Sequence, residues 1–174
     1  REFWLEAGKQ GFLGLEIPEE YGGAGAEDYR FNAVMAEELS KVNAALGSCW
    51  GIHADITAPY IVAMGTEEQK QRWLPGVAAG ETLLAIGMTE PSGGSDLAAL
   101  KTTAVKDGDD WVINGSKTFI TNGYSADLVI TAVRTDPEKG ARGSTTSCGC
   151  TPTGARWRSP TGTATVGCWG CTST

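Results

Sequence analysis

Four hydroxyl side chains, Thr89, Ser95, Thr118 and Thr121, stand beside short β-prone runs in the middle of the chain. The first two follow the apolar run Leu83–Met88, which breaks into a loop holding Pro91, Gly93 and Gly94. Such a run reads as a strand feeding a loop whose backbone can lie close to a ligand. The other two follow the turn signals Asp107-Gly108 and Asn114-Gly115, each set between β-prone residues, which predict consecutive hairpins. Hydroxyls placed this way suit a flat, polar-edged ligand lying across a sheet. They do not suit a phosphate on a helix N-terminus, because neither GxGxxG nor GxxxxGK[ST] follows a strand.

The carboxylates nearest these hydroxyls are Glu90 and Asp96. A carboxylate works as a base when burial raises its pKa toward neutrality. Both read instead as loop-holding residues that bond backbone N–H groups around the turn. The single histidine, His53, lies in an apolar helix and reads as a core residue. Cys49 stands alone, while Cys148, Cys150, Cys168 and Cys171 fall in the tail. Only Cys168-x-x-Cys171 has zinc-knuckle spacing; the Cys148-x-Cys150 half is unusual and no hydrophobic residues surround it to make a ribbon core, so no metal site is expected. The body reads as a reduced, intracellular protein.

The elements that must position these groups divide in two. Residues 3–11 end a helix, with Gly8 and Gly11 marking its stop. The glycine-rich strip from Gly11 to Gly25 packs and turns without regular helix. Phe31, Val34, Met35, Leu39, Val42 and Leu46 form one apolar stripe on a helix over 27–46, closed by Gly47. A second helix spans 48–64, with a kink or restart at Pro59. Gly65 suits the C′ position, and Thr66 with Gln69 forms a capping box for a helix carrying Glu67 and Glu68 in its first turn. Trp73-Leu74-Pro75 restarts the backbone into a last short piece ending at Gly80.

Five strands are expected after that: 83–88, 102–106, 111–114, 116–120 and 127–134. Helices followed by hairpins predict an α+β chain, helical first and antiparallel β second. From Ser144 the chain has no Leu, Ile, Phe or acidic residue and is crowded with Thr, Gly, Ser and Cys. Such a tail buries too little apolar surface to offset its ordering entropy and is expected to be disordered. A shift of reading frame just after Arg142 or Gly143 would account for it. The net charge of −7 argues against nucleic acid and anionic membrane as partners. Lys9, Lys41, Lys101, Lys106 and Lys117 are scattered and form no obvious patch. No apolar run approaches membrane-spanning length.

Met88-Thr89-Glu90-Pro91-Ser92-Gly93-Gly94-Ser95-Asp96 resembles the M-T-E-P-x-x-G-S-D signature of the acyl-CoA dehydrogenases. Trp111 to Gly123, ending Phe119-Ile120-Thr121-Asn122-Gly123, resembles that family's second flavin-contacting segment. The likeness reaches back to the first residues and forward to about Arg142. It implies a fragment: a partial helical N-terminal domain over 1–81 and a partial middle β-barrel domain over 82–143, then the unmatched tail 144–174. The resemblance also implies FAD as cofactor, an acyl-CoA substrate, an electron-transferring flavoprotein as acceptor and a homo-oligomeric parent. By the same resemblance Ile86, Met88, Thr89, Ser95, Phe119 and Thr121 contact the cofactor, and Ser95 also lies near the substrate's pantetheine. The family places its catalytic base later in the chain, so no catalytic residue is expected here. The chain alone is then expected to bind FAD weakly or not at all and to be inactive. The matrix of the mitochondrion or the bacterial cytoplasm is the implied location. The alternatives are an acyl-CoA oxidase, or a non-catalytic product with a metal-clasping tail.

Overall fold

A computed structural model describes residues 1–108, 110–136, 144–148 and 166–167; for 110, 144–148 and 166–167 the description is of the backbone. It divides into two units, Arg1–Ala85 and Ile86–Thr174.

The first unit is helical: α1 (Glu2–Lys9), α2 (Arg30–Val42), α3 (Ala44–Trp50), a π-helical segment (Gly51–Thr57), α4 (Ala58–Met64) and α5 (Glu67–Ala78). Trp4, Leu13, Trp50, Ala54 and Leu83 form its core, with Met35 and Leu39 packed against them. The capping box at Thr66 and Gln69 forms as expected. Other boundaries differ, each for a local reason. Asn43 breaks the long helix predicted over 27–46: its backbone is extended and its side chain accepts from the Ala45 amide at 2.8 Å. Gly47 therefore lies inside α3, where a Cβ would stand 2.6 Å from Ser40 Oγ. Gly8 likewise sits within α1, where a Cβ would strike the Ala79 carbonyl. Gly65 is extended rather than left-handed, and a Cβ there would come within 2.5 Å of the Ile61 carbonyl oxygen. Pro75 does not restart the chain. It lies within a continuous α5, whose Leu74 and Val77 are fully buried. That burial offsets the loss of one helix hydrogen bond. Pro59 is the second residue of α4, directly after the π-helical segment, so the chain changes helix type there without a break.

The apolar stripe of α2 is only partly covered: Phe31, Val34 and Val42 are exposed, while Asn32 is buried. The Asn32 amide donates to Glu16 and Asp55, both at 2.8 Å, and Tyr29 donates to the other oxygen of Asp55 at 3.0 Å. Burial, reinforced by Asp55, pushes the Glu16 carboxyl up.

His53 is fully buried in the π-helical segment. The Leu84 amide donates to its Nδ1 at 3.1 Å, so the ring proton sits on Nε2, directed at the Val77 carbonyl 3.3 Å away. The histidine thus ties its helix to the end of α5 and to β1, as a core residue. Burial holds its pKa down, to about 4.

The strands are β1 (Leu84–Gly87), β2 (Thr103–Asp107), β3 (Asp110–Asn114), β4 (Leu128–Arg134), β5 (Ser144–Cys148) and β6 (Val166–Gly167). Their order is β1-β4-β2-β3-β6, with β5 also on β4. The predicted hairpin at Asp107-Gly108 forms, pairing β2 with β3 from Thr103↔Asn114 to Asp107↔Asp110. β2 meets β4 in parallel at Thr103↔Arg134, so the sheet is not purely antiparallel. Two strands lie in the tail segment, where none was predicted: β5 runs antiparallel to β4 and β6 to β3. Backbone pairing along a sheet needs no large apolar side chain, which is why composition did not reveal them. The side chains of Cys148, Cys150, Cys168 and Cys171 lie outside the described residues, as does most of the tail.

A histidine that binds its proton more readily when unfolded makes stability rise with pH between its two pKa values. The chain is expected to lose up to about 3 kcal/mol as pH falls from about 6.5 to about 4. Urea unfolding across that range checks this. His53→Gln should be less stable at pH 7 and show a flatter pH dependence.

Candidate functional site

The candidate site lies within the second unit, where β1 gives way to the loop after Met88. Glu90-Pro91-Ser92-Gly93 closes a tight turn: the Glu90 amide donates to the Gly93 carbonyl at 2.9 Å, and the Gly93 amide to the Glu90 carbonyl at 3.1 Å. Gly94 then passes over Thr89, at a distance where a Cβ would stand 3.4 Å from Thr89 Cγ2. The second predicted segment does not form a strand over 116–120; no hairpin follows Asn114-Gly115. Gly115 instead presses against Thr102, whose Oγ1 would be 2.3 Å from an added Cβ. The chain then runs as a loop beside the first segment. There the Thr118 amide donates to the Thr89 carbonyl at 2.9 Å.

A buried ion pair fixes this junction. Lys117 Nζ donates to Glu90 Oε1 and to the Met88 carbonyl, both at 3.0 Å, and the two side chains are each 4% exposed. Glu90 also accepts from the Lys101 amide (2.8 Å), the Thr102 amide (2.9 Å) and the Thr102 hydroxyl (2.5 Å). Burial pushes the Glu90 carboxyl up. The Thr102 hydroxyl, the two amides and the Lys117 ammonium outweigh it and hold the pKa at about 2. A carboxylate so satisfied is ionised at neutral pH and is a poor base. Burial lowers the Lys117 pKa against the opposing pull of Glu90. Glu90 therefore holds the loop as expected, though by bonds to Lys101 and Thr102 rather than around its own turn. Asp96 is exposed and its side chain makes no cap bond.

Thr89 is half-buried, and its amide and hydroxyl have no hydrogen-bond partner among the described residues. Phe119 is 91% exposed, with a left-handed backbone at φ 55°, and Asn122 is also left-handed at φ 63°. An aromatic residue in that conformation costs about 1–2 kcal/mol, and this one recovers nothing by burial within the chain. Ordinary sheet core is thereby excluded for Phe119. Thr121 is half-buried two residues on, and Ser95 lies exposed in the loop beyond Gly94. Ile86 ends in β1, buried. The Thr89–Thr118 contact thus joins the two predicted segments. This donor set of unspent amide and hydroxyl groups beside a bare aromatic ring fits a flat ring system with polar edges.

Sequence reasoning missed Lys117, counted above among scattered cations. Its signal was a lysine between Gly115 and the β-prone Thr118-Phe119-Ile120, a place where a long charged side chain needs a buried partner.

Breaking a buried ion pair from one side leaves an uncompensated charge. Glu90→Gln is expected to cost about 3–5 kcal/mol, and the double change Glu90→Gln with Lys117→Met much less. Urea unfolding at pH 7 measures both. A further loss of stability in the wild type should enter as pH falls from 4.5 toward about 2, where Glu90 takes up its proton.

Residues 1–81 match the model of the acyl-CoA dehydrogenase N-terminal domain, and residues 85–167 that of the acyl-CoA dehydrogenase middle domain. The second match continues past Arg142, where the motif resemblance fades. The mitochondrial long-chain specific acyl-CoA dehydrogenase of Sus scrofa is 47% identical over 138 residues, 79% of this chain and 32% of that protein. The crystal structure of acyl-CoA dehydrogenase from Geobacillus kaustophilus superposes with a TM-score of 0.83 at 45% identity, over 97% of this chain and 47% of that one. A glutaryl-CoA dehydrogenase from Mycobacterium smegmatis, solved in complex with FADH2, superposes with a TM-score of 0.79 at 31% identity, covering 95% and 43%. The chain spans about a third of the length of the curated relatives it matches. These matches over both units place the chain in the acyl-CoA dehydrogenase family, in keeping with a helical unit followed by a partial sheet.

Proposed function

We propose that this chain carries the flavin-facing loops of an FAD-dependent acyl-CoA dehydrogenase. The observation that carries the reading is the Thr118-to-Thr89 hydrogen bond, which puts the two motif segments side by side next to an exposed phenylalanine. Thr89 would present its amide and hydroxyl to the electron-rich edge of the ring, with the backbone of Ile86 and Met88 alongside. Phe119 would lie against the ring, and Thr121 would bond its other edge. Ser95 would face both the cofactor and the substrate's pantetheine. When bound, FAD supplies acceptance of a hydride from the β-carbon of an acyl-CoA, while a carboxylate takes the α-proton.

Glu90 is not that carboxylate, since four donors occupy its oxygens and leave it too weak a base. The chain by itself binds FAD weakly, through these loop groups, and does not turn over an acyl-CoA. In the complete enzyme the electrons would pass to an electron-transferring flavoprotein, and the assembly would be a homo-oligomer. No described helix is long and apolar enough to cross a membrane.

Titration with FAD, followed by quenching of flavin fluorescence, should give an affinity that drops about tenfold in Thr89→Val, the worth of about 1.4 kcal/mol. Phe119→Ala should weaken it similarly. Coincident titrations for the wild type and Thr89→Val would remove Thr89 from the site. Reduction of a dye by the chain with an acyl-CoA would overturn the assignment of inactivity.

A further inference from the structure

Lys117 does more than satisfy Glu90. Its ammonium, nearly without solvent, is 3.0 Å from the Met88 carbonyl oxygen. That oxygen belongs to the same peptide group as the Thr89 amide, which has no acceptor among the described residues. A charge-assisted bond to a carbonyl draws electron density from its peptide and makes the attached N–H a stronger donor. Glu90 offsets the ammonium only in part, because three further donors share its negative charge. A buried ion pair is also a poor device for stability alone, since apolar residues of similar volume do as well or better. Here it supplies the hydrogen bond to the Met88 carbonyl.

We propose that Lys117 is a positioning residue that fixes and polarises the Met88–Thr89 peptide, so that the Thr89 amide favours a ligand carrying negative charge. The inference rests on the flavin reading above and deepens it: reduced FAD gathers negative charge at one edge of its ring, whereas oxidised FAD is neutral there. The pair would then tune the cofactor's potential without touching it.

The test uses the 174-residue chain as wild type, Lys117→Met, and the double variant Glu90→Gln/Lys117→Met, which keeps the buried pair balanced should the single change unfold. Without flavin, the amide proton resonance of Thr89 is compared between wild type and the folded variants. It should move upfield when the ammonium is removed. Oxidised FAD and dithionite-reduced FAD are then titrated separately. The wild type should prefer the reduced form, and the variants should lose about tenfold of that preference, which for a two-electron couple is a fall of about 30 mV. The affinity for oxidised FAD should change much less. An unmoved Thr89 resonance, or equal weakening toward both forms, overturns the role of Lys117 while leaving the flavin site standing. Binding of neither form by the wild type overturns the flavin site itself, and this inference with it.

Discussion

The second unit depends on the contact between Lys117 and Glu90. Each charge would be costly to bury alone, and the pair is tolerated because the carboxylate accepts from four donors and the ammonium reaches two acceptors. The carboxylate gathers the Lys101 and Thr102 amides and the Thr102 hydroxyl, and the ammonium reaches on to the Met88 carbonyl. Segments separated in sequence are thereby held in one place. Thr102 in turn leans against Gly115, so a side chain at that glycine would disturb the same centre. At the edge of this centre Thr89 keeps its amide and hydroxyl unspent among the described residues, and Phe119 has its ring in water.

The helical unit uses a different solution to the same problem of a buried polar group. His53 is neutral, accepts at one nitrogen and donates at the other, and so costs little while tying its helix to Val77 and Leu84. Asn32 is less fully satisfied: its amide nitrogen donates to Glu16 and Asp55, which holds two carboxylates close together, and its Oδ1 is buried with no partner among the described residues.

Much of this was legible in the sequence, because the informative signals were local. Thr66 and Gln69 are close enough to announce a capping box, and Asp107-Gly108 between β-prone runs announces a hairpin. The helix break at Asn43 was hidden, because apolar spacing continues from α2 into α3 while the cap is a single side-chain bond. Ser116 to Ile120 reads as a strand by composition; the bonds of Lys117 and Thr118 to distant residues override that preference. Phe119 could be placed by motif, but its left-handed backbone and exposure follow from the loop's path. The tail strands pair through backbone, which composition records poorly.

Phe119 sits where glycine would be more comfortable. A left-handed backbone carries a steric penalty for any side chain with a Cβ, and this ring gains no shelter from the rest of the chain. Selection for heat resistance alone would thus drift toward glycine at this position, reaching a sturdier molecule whose loop had lost its aromatic face. The ring thus comes at the expense of robustness, and laboratory evolution that rewards only melting temperature would erase it early.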